Sequence, residues 1–315
     1  MRKHSIYRII MLFLGLALVV SCSQKKSNEG GDQATKEAPV AKDDILTGEM
    51  SVIVDEAIYP IMLEQVEVFK DSYVNAKVNL IPLPEREAIN ALLKGDASLA
   101  VLARQLTKEE GAGFDQRSIK PRIYPVFYDG VVFVNNIAEA DTSMDIKTLS
   151  SLLTGELKSK TLVFDNVNSS TLRRVKELTN IDKVSGVSVK GLKNTEEVFE
   201  YLLTNSNAIG AMSYGQYLDY RRKFGEENKI RILSLQNDEK RGVGGYFKPS
   251  QTTFATDQYP LKSEFYVLNY QPNLGLGIGF SAFLTGDRGQ RIVLKSGLLP
   301  ATMPGREIII RDNIN

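Results

Sequence analysis

Residues 164–174 read FDNVNSSTLRR, between the apolar run TLVF (Thr161–Phe164) and the helical pattern TLRRVKEL. The spacing predicts a strand, a short polar loop and a helix whose first turn opens with Ser169, Ser170 and Thr171. Hydroxyl side chains at a helix start cap amide N–H groups that lack intrahelical partners. The same free N–H groups, at the positive end of the helix dipole, also form a seat for an oxyanion. Both readings stay open from this stretch alone.

Working outward, strands and helices alternate along the chain. MSVIV (Met50–Val54) is a β-branched strand, followed by a turn at Asp55-Glu56 and a helix. Pro60 suits that helix's first turn, and Ile58, Met62, Val66, Phe69 and Tyr73 repeat at helical spacing. KVNLIPL (Lys77–Leu83) is a second strand, EREAINALLK a helix closed by Gly95, and SLAVLA a third strand. Thr107 to Glu110 form a capping box, and Asn194 to Glu197 start the helix of VFEYLLTN. Two extended runs flank Asp129-Gly130. AIGAMSY, IRILSL, YPLKSEFYVLN and a late REIIIR are further strands, and GIGFSAFLTGDRGQRIVLKSG holds two helices. The alternation predicts an α/β fold with largely parallel sheets, in which ligands sit beyond the carboxyl ends of strands. VDEAIYP, LARQLT and FDNVNSST are three such loops, placed to converge on one small anion. The glycines of GLGIGF lack the acidic ribose partner of a nucleotide loop, so they are read as packing positions.

The chain begins with Arg2, Lys3 and Arg8, then an apolar run of twelve residues, Ile9–Val20. That run suits an export leader and is short for a permanent membrane span. It ends in Val19-Val20-Ser21-Cys22, which resembles the lipobox of bacterial lipoproteins. The resemblance implies cleavage after residue 21, a lipid on Cys22 and a chain tethered to a membrane of the cell envelope, facing periplasm or exterior. Residues 22–47 are polar and without apolar period, as expected of a flexible tether. Removing the three leader cations takes the 39 basic residues to 36 against 38 acidic, a net charge of −2. Such a balance offers no footprint for nucleic acid. The one histidine, His4, lies in the leader, and Cys22 is the one cysteine. Histidine-based triads, cysteine nucleophiles and histidine-held zinc are therefore outside the reach of the mature chain. We expect no enzyme, no cofactor and no metal.

Several segments, in order, resemble the phosphate-binding proteins of ABC importers, which have the type II periplasmic-binding-protein fold. YDGVVFVNN is similar to the family's Asp-Gly-Ile-x-x-x-Val-Asn crossing segment, and IKTLSSLLTGE to its leucine-rich helix ending in Thr-Gly-Lys. NSST stands where the family has Gly-Ser-Gly-Thr. SNAIGAMSYGQY, YPLKSEFYVLN and GDRGQRIVLKSGLLP resemble its Ala-Ile-Gly-Tyr segment, return strand and closing helix. The resemblance spans nearly all of Met50 to Arg311. It implies a two-lobed α/β fold with a ligand cleft between the lobes: residues 48–128 and 258–315 in the first, 129–257 in the second. It further implies a monomer that captures inorganic phosphate and passes it to an ABC permease and its ATPase. The phosphate would be held by Ser169, Ser170, Thr171, Arg104, Glu56, Ala57 and Asp129.

Two departures stand out. The family's first loop is Gly-Ser-Ser-Thr-like, whereas here it is Asp55-Glu56-Ala57-Ile58. A carboxylate there repels a dianion unless it accepts a proton from the ligand, which would favour phosphate over sulfate; alternatively Glu56 faces solvent. Arg104 and Asp165 occupy positions where many members have the opposite charges. Arg104 is read as a bidentate phosphate contact, with pairing to Asp165 or Glu56 as the alternative. Arg173 and Arg174 are read as solvated surface. Other readings are a binding-protein scaffold without its anion, acting as an interaction or sensor subunit, or a binder of another oxyanion such as sulfate or molybdate.

Overall fold

The computed structural model describes residues 44–238 and 244–305. The expected leader, Cys22, nearly all of the expected tether and the strand expected at REIIIR lie outside these residues. Strands follow the apolar runs: β1 (Gly48–Asp55), β2 (Ala76–Leu83), β3 (Leu99–Leu102), β4 (Arg122–Asn136), β5 (Ser143–Met144), β6 (Thr161–Phe164) and β7 (Val189–Gly191). The later strands are β8 (Ala208–Ser213), β9 (Ile230–Ile232), β10 (Ser234–Asn237), β11 (Gly245–Phe247), β12 (Lys262–Asn269) and β13 (Leu299–Pro300). Ten of them form one sheet with the path β2-β1-β3-β12-β4-β8-β6-β7, with β9 and β13 also pairing with β4. A small sheet, β11-β10-β5, lies apart from it.

The pairing corrects the expectation of largely parallel sheets. β1 pairs in parallel with β2 and β3, and β6 with β7 and β8. The centre is antiparallel: β12 with β3 and β4, and β4 with β8 and β9. The reason is β4. The two extended runs expected around Asp129-Gly130 are one continuous strand of 15 residues. Its first part pairs with β12 and its second part, from Val131, with β8. The chain thus passes from one half of the molecule to the other along β4 and returns along β12, and a return path within one sheet runs antiparallel. Gly130 is required at the crossing, since a Cβ there would lie 2.7 Å from the Phe254 ring.

Each half has apolar packing on both faces of its strands, as parallel strands under helices require. Val52 and Val54 of β1 face one cluster with Met62 and Phe69, while Ile53 between them faces another with Ala88 and Leu92. In the second half, Leu162 and Phe164 face Leu149 and Val175, and Val163 faces Val198 and Leu202. This period of two sends successive side chains to opposite faces, each covered by helices. Helices cover these faces at Tyr59–Ser72, Glu85–Lys94, Ile146–Thr154, Ser170–Thr179, Thr195–Thr204 and Tyr214–Phe224. Gly95 closes the Glu85–Lys94 helix in the left-handed conformation, with φ 88°. The glycine-rich GLGIGF begins the Leu276–Thr285 helix, and packing explains it. A Cβ on Gly279 would stand 1.8 Å from the carbonyl oxygen of Ile45.

Candidate functional site

Two strand-to-helix loops, one from each half, meet across the molecule. β1 ends in Asp55, whose Oδ1 accepts the Ala57 amide at 3.0 Å and caps a short 3-10 turn, Glu56–Ile58, ahead of the Tyr59–Ser72 helix. β6 ends at Phe164, and Asp165 accepts the next amide, Asn166 N–H, at 2.9 Å. Ser169 is the cap of the Ser170–Thr179 helix: its hydroxyl accepts Leu172 N–H at 3.3 Å and donates to the Asn166 carbonyl at 2.9 Å. The capping half of the opening ambiguity is therefore realised in the geometry. Ser169, Ser170 and Thr171 are all nearly inaccessible, at 3, 3 and 1% exposure, too deep for a cap that merely meets water.

Around this helix start the orphan polar atoms gather. Thr171 Oγ1, Asp55 Oδ2, Glu56 Oε1 and Asp165 Oδ2 are buried without a hydrogen-bond partner. Unpaired buried groups of this kind are uncommon and costly. Burial pushes the Asp55 carboxyl up to about 7, with the Ser170 hydroxyl pulling the other way and the charge of Glu85 adding to the rise. Burial, then repulsion by Asp165, Asp55 and Glu87, pushes Glu56 up to about 8. Asp165 rises to about 6, again chiefly by burial. Glu56 is half-buried: its Oε1 is enclosed, while the side chain lines the cavity beside the interface. Near neutral pH Glu56 keeps its proton and can donate a hydrogen bond, Asp55 stands near its midpoint, and Asp165 mainly accepts.

The arginines are spoken for by carboxylates. Arg104 makes a bidentate pair with Glu110, Nη1–Oε2 and Nη2–Oε1 both 2.8 Å, and lies 3.6 Å from Glu85. Its partners are thus neither Asp165 nor Glu56. Glu110 is also the third residue of the Thr107 capping box, which holds it in place. Arg173 is not solvated surface, contrary to the sequence reading. Its Nε and Nη2 grip Glu85 Oε1 and Oε2 at 2.6 and 2.8 Å, and Glu85 is only 4% exposed. Arg174 likewise reaches the Lys262 carbonyl, at 2.8 Å. Sequence reasoning missed Glu85 and Arg173 because each sits in an ordinary amphipathic helix. Only the meeting of the Glu85–Lys94 and Ser170–Thr179 helix starts pairs them.

Asp129, expected as a ligand contact, has a different set of partners. It is 1% exposed and accepts Gly130 N–H at 2.6 Å and Gly215 N–H at 3.2 Å, holding the start of the Tyr214–Phe224 helix against β4. Ala57 offers its carbonyl to the Ser213 hydroxyl at 2.7 Å. That bond, Asn168 Nδ2 to Glu87 Oε1 at 2.7 Å, Arg173 to Glu85 and Arg222 to Glu64 at 3.0 Å all join the two halves. The structure therefore brings Glu56 and Ala57 into one interface with Ser169, Ser170 and Thr171. It sets Arg104 at the flank of that interface, with Glu85 between it and Arg173.

Beside the interface opens a cavity of about 1030 Å³, with Glu56, Asp165 and Gln216 among the residues lining it. No helix among the described residues is long and apolar enough to cross a membrane.

A profile of the PBP superfamily domain matches residues 31–288. Solved structures give the same fold at low identity. A putative phosphate ABC transporter substrate-binding protein with bound phosphate from Clostridium perfringens superposes with a TM-score of 0.66 at 16% identity, over 81% of this chain and all of that one. An ABC-type phosphate transport receptor from Vibrio cholerae gives 0.60 at 18% identity, over 80% of this chain and 100% of its own. The fold also serves elsewhere: a CcmR regulatory domain from Synechocystis in complex with 2-PG gives 0.51 at 14% identity, over 76% of this chain and 96% of its own. A search of curated proteins by sequence returns no significant match. The crossing strands, the two packed halves and the matched profile together place this chain in the PBP superfamily, with its two-lobed periplasmic-binding-protein fold.

Proposed function

We propose that the chain is a solute-binding protein that captures inorganic phosphate between its lobes and delivers it to an ABC permease driven by its ATPase. In this reading it works as a monomer, held at the cell envelope by a lipid on Cys22. The lobes comprise residues 48–128 with 258–315, and residues 129–257. Binding favours the closed arrangement because contacts from both lobes are complete only there.

The observation that carries the reading is the buried start of the Ser170–Thr179 helix. The Thr171 hydroxyl lacks a partner there, and the Asp55, Glu56 and Asp165 carboxyls stand against it. Helix amides and hydroxyls suit an oxyanion. The carboxyls suit one that carries or accepts a proton, which phosphate does at neutral pH and sulfate does not. Calorimetric titration of the phosphate-stripped protein with phosphate and then sulfate tests this. Saturable phosphate binding that takes up protons, is weakened by Thr171→Ala and is not matched by sulfate supports the assignment.

A second reading is favoured by the arginines. Arg104 and Arg173 are both paired with the chain's own carboxylates, and Ser170 faces Asp55. Asp55 would then occupy the anion's place, and the protein would be a closed scaffold serving as an interaction or sensor subunit. Absence of heat with phosphate, sulfate and molybdate alike would select it.

A further inference from the structure

The cavity beside the interface is much larger than a tetrahedral oxyanion requires. Its volume of about 1030 Å³ falls at the upper end of pockets that hold organic ligands. Its walls are the Thr195–Thr204 and Tyr214–Phe224 helices on one side and Tyr59, Pro60 and Pro82 on the other. Six carboxylates and two lysines line it, so its charge favours cations.

Two further observations point to the kind of cation. Asp165, 1% exposed, lines the cavity with Oδ2 lacking a partner, and Glu56 Oε1 beside it is also buried and unpaired. Asp165 can accept from a donor placed there, and Glu56 can do so once it gives up its proton. The other wall is aromatic: Phe199 and Tyr220 stack at 3.7 Å between centroids, and Tyr220 meets Phe224 at 4.4 Å. Such a wall packs against the carbon skeleton of an organic cation and tolerates its charge nearby. This wall already holds one, since Lys223 Nζ lies 5.6 Å from the Phe224 centroid. No cluster of three metal-ligating side chains occurs among the described residues, so a divalent ion is the poorer match.

We propose that this cavity binds small organic ammonium ions, with the ammonium head at Glu56 and Asp165 and the apolar body against Phe199, Tyr220 and Phe224. The proposal draws on Glu56 and Asp165, which the phosphate reading also uses, and the two ligands are told apart by the sign of the proton change. A cation there relieves the repulsion that Glu56 feels from Asp165, Asp55 and Glu87. Binding therefore releases protons near neutral pH, whereas phosphate capture at the neighbouring helix start takes them up.

The test is calorimetry of the purified chain with choline, ethanolamine and putrescine. Two phosphate-free buffers of different ionisation enthalpy, neither a primary amine, report the protons. The expected result is saturable binding of at least one amine with net proton release. Glu56→Gln should weaken it about tenfold or more and cancel the release. Glu200→Gln, an exposed substitution on the cavity wall that leaves folding intact, should weaken it about two- to fivefold. No binding by any of the three amines overturns the proposal. So does binding without proton release, or binding indifferent to both substitutions. Phosphate is titrated separately, so its failure leaves the amine result standing, and the reverse.

Discussion

The first-lobe loop Asp55–Ile58 and the second-lobe loop Asp165–Thr171 do the same structural job with different chemistry. Each follows a buried strand, each starts a helix, and each uses an oxygen side chain to satisfy the first free amides. The second loop does this with the Ser169 hydroxyl, which leaves Thr171 spare. The first uses a carboxyl and offers no hydroxyl at all. Placed face to face, they make an interface to which both sides bring carboxyls, Asp55 and Glu56 from one and Asp165 from the other, and only the second adds a spare hydroxyl. The comparison teaches that proton concentration, rather than a fixed positive charge, sets the balance of this cleft.

That can be broken most directly with pH. Asp55, Glu56 and Asp165 sit at about 7, 8 and 6 in the folded state, each above its ordinary carboxyl value. The folded protein thus holds more protons than the unfolded chain. The stability from these groups is fully present below pH ~4 and is lost as pH rises towards ~8. Thermal melts should show a lower Tm at pH 8.5 than at pH 5.5, and Asp55→Asn with Glu56→Gln should flatten that slope. A Tm that rises over this interval would contradict the protonated interface.

Next in size is the charge pair that ties the loops together. Glu85→Ala leaves Arg173 without its bidentate partner in a largely buried place, and should cost about 2–3 kcal/mol in denaturant unfolding. The same variant should expand the molecule in small-angle scattering if the pair also holds the lobes shut. Smaller again is Ser169→Ala, which removes a helix cap and should cost about 1 kcal/mol. Thr171→Val is the sharpest contrast. It deletes a hydroxyl that has no partner, so stability should move by less than about 0.5 kcal/mol. Phosphate affinity should nevertheless fall about tenfold, ~1.4 kcal/mol. A large stability loss in Thr171→Val would mean the hydroxyl is structural.

Much of the fold was legible because it rests on local patterns. Val52–Val54, the Met62 and Phe69 face, the Gly95 stop and the Thr107 capping box are each encoded within a few residues. The antiparallel centre was not legible, since YDGVVFVNN does not say which strands will flank it. In the candidate site, the helix start at Ser169 was plain from hydroxyls after an apolar run. The fate of the charges was not. Arg104 to Glu110 lies within six residues and still escaped notice, because a capping glutamate does not advertise a second partner. Arg173 to Glu85 spans 88 residues and exists only once two helix starts meet.

Gly279 has a consequence for how the molecule moves. Its missing side chain lets the Ile45 carbonyl lie directly on the Leu276–Thr285 helix, so the chain enters the folded body pinned to the first lobe. The tether proposed above would therefore hold the first lobe rather than the second. If the lobes close on a solute as proposed above, the first is then the fixed anvil, and the surface that travels belongs to the second lobe.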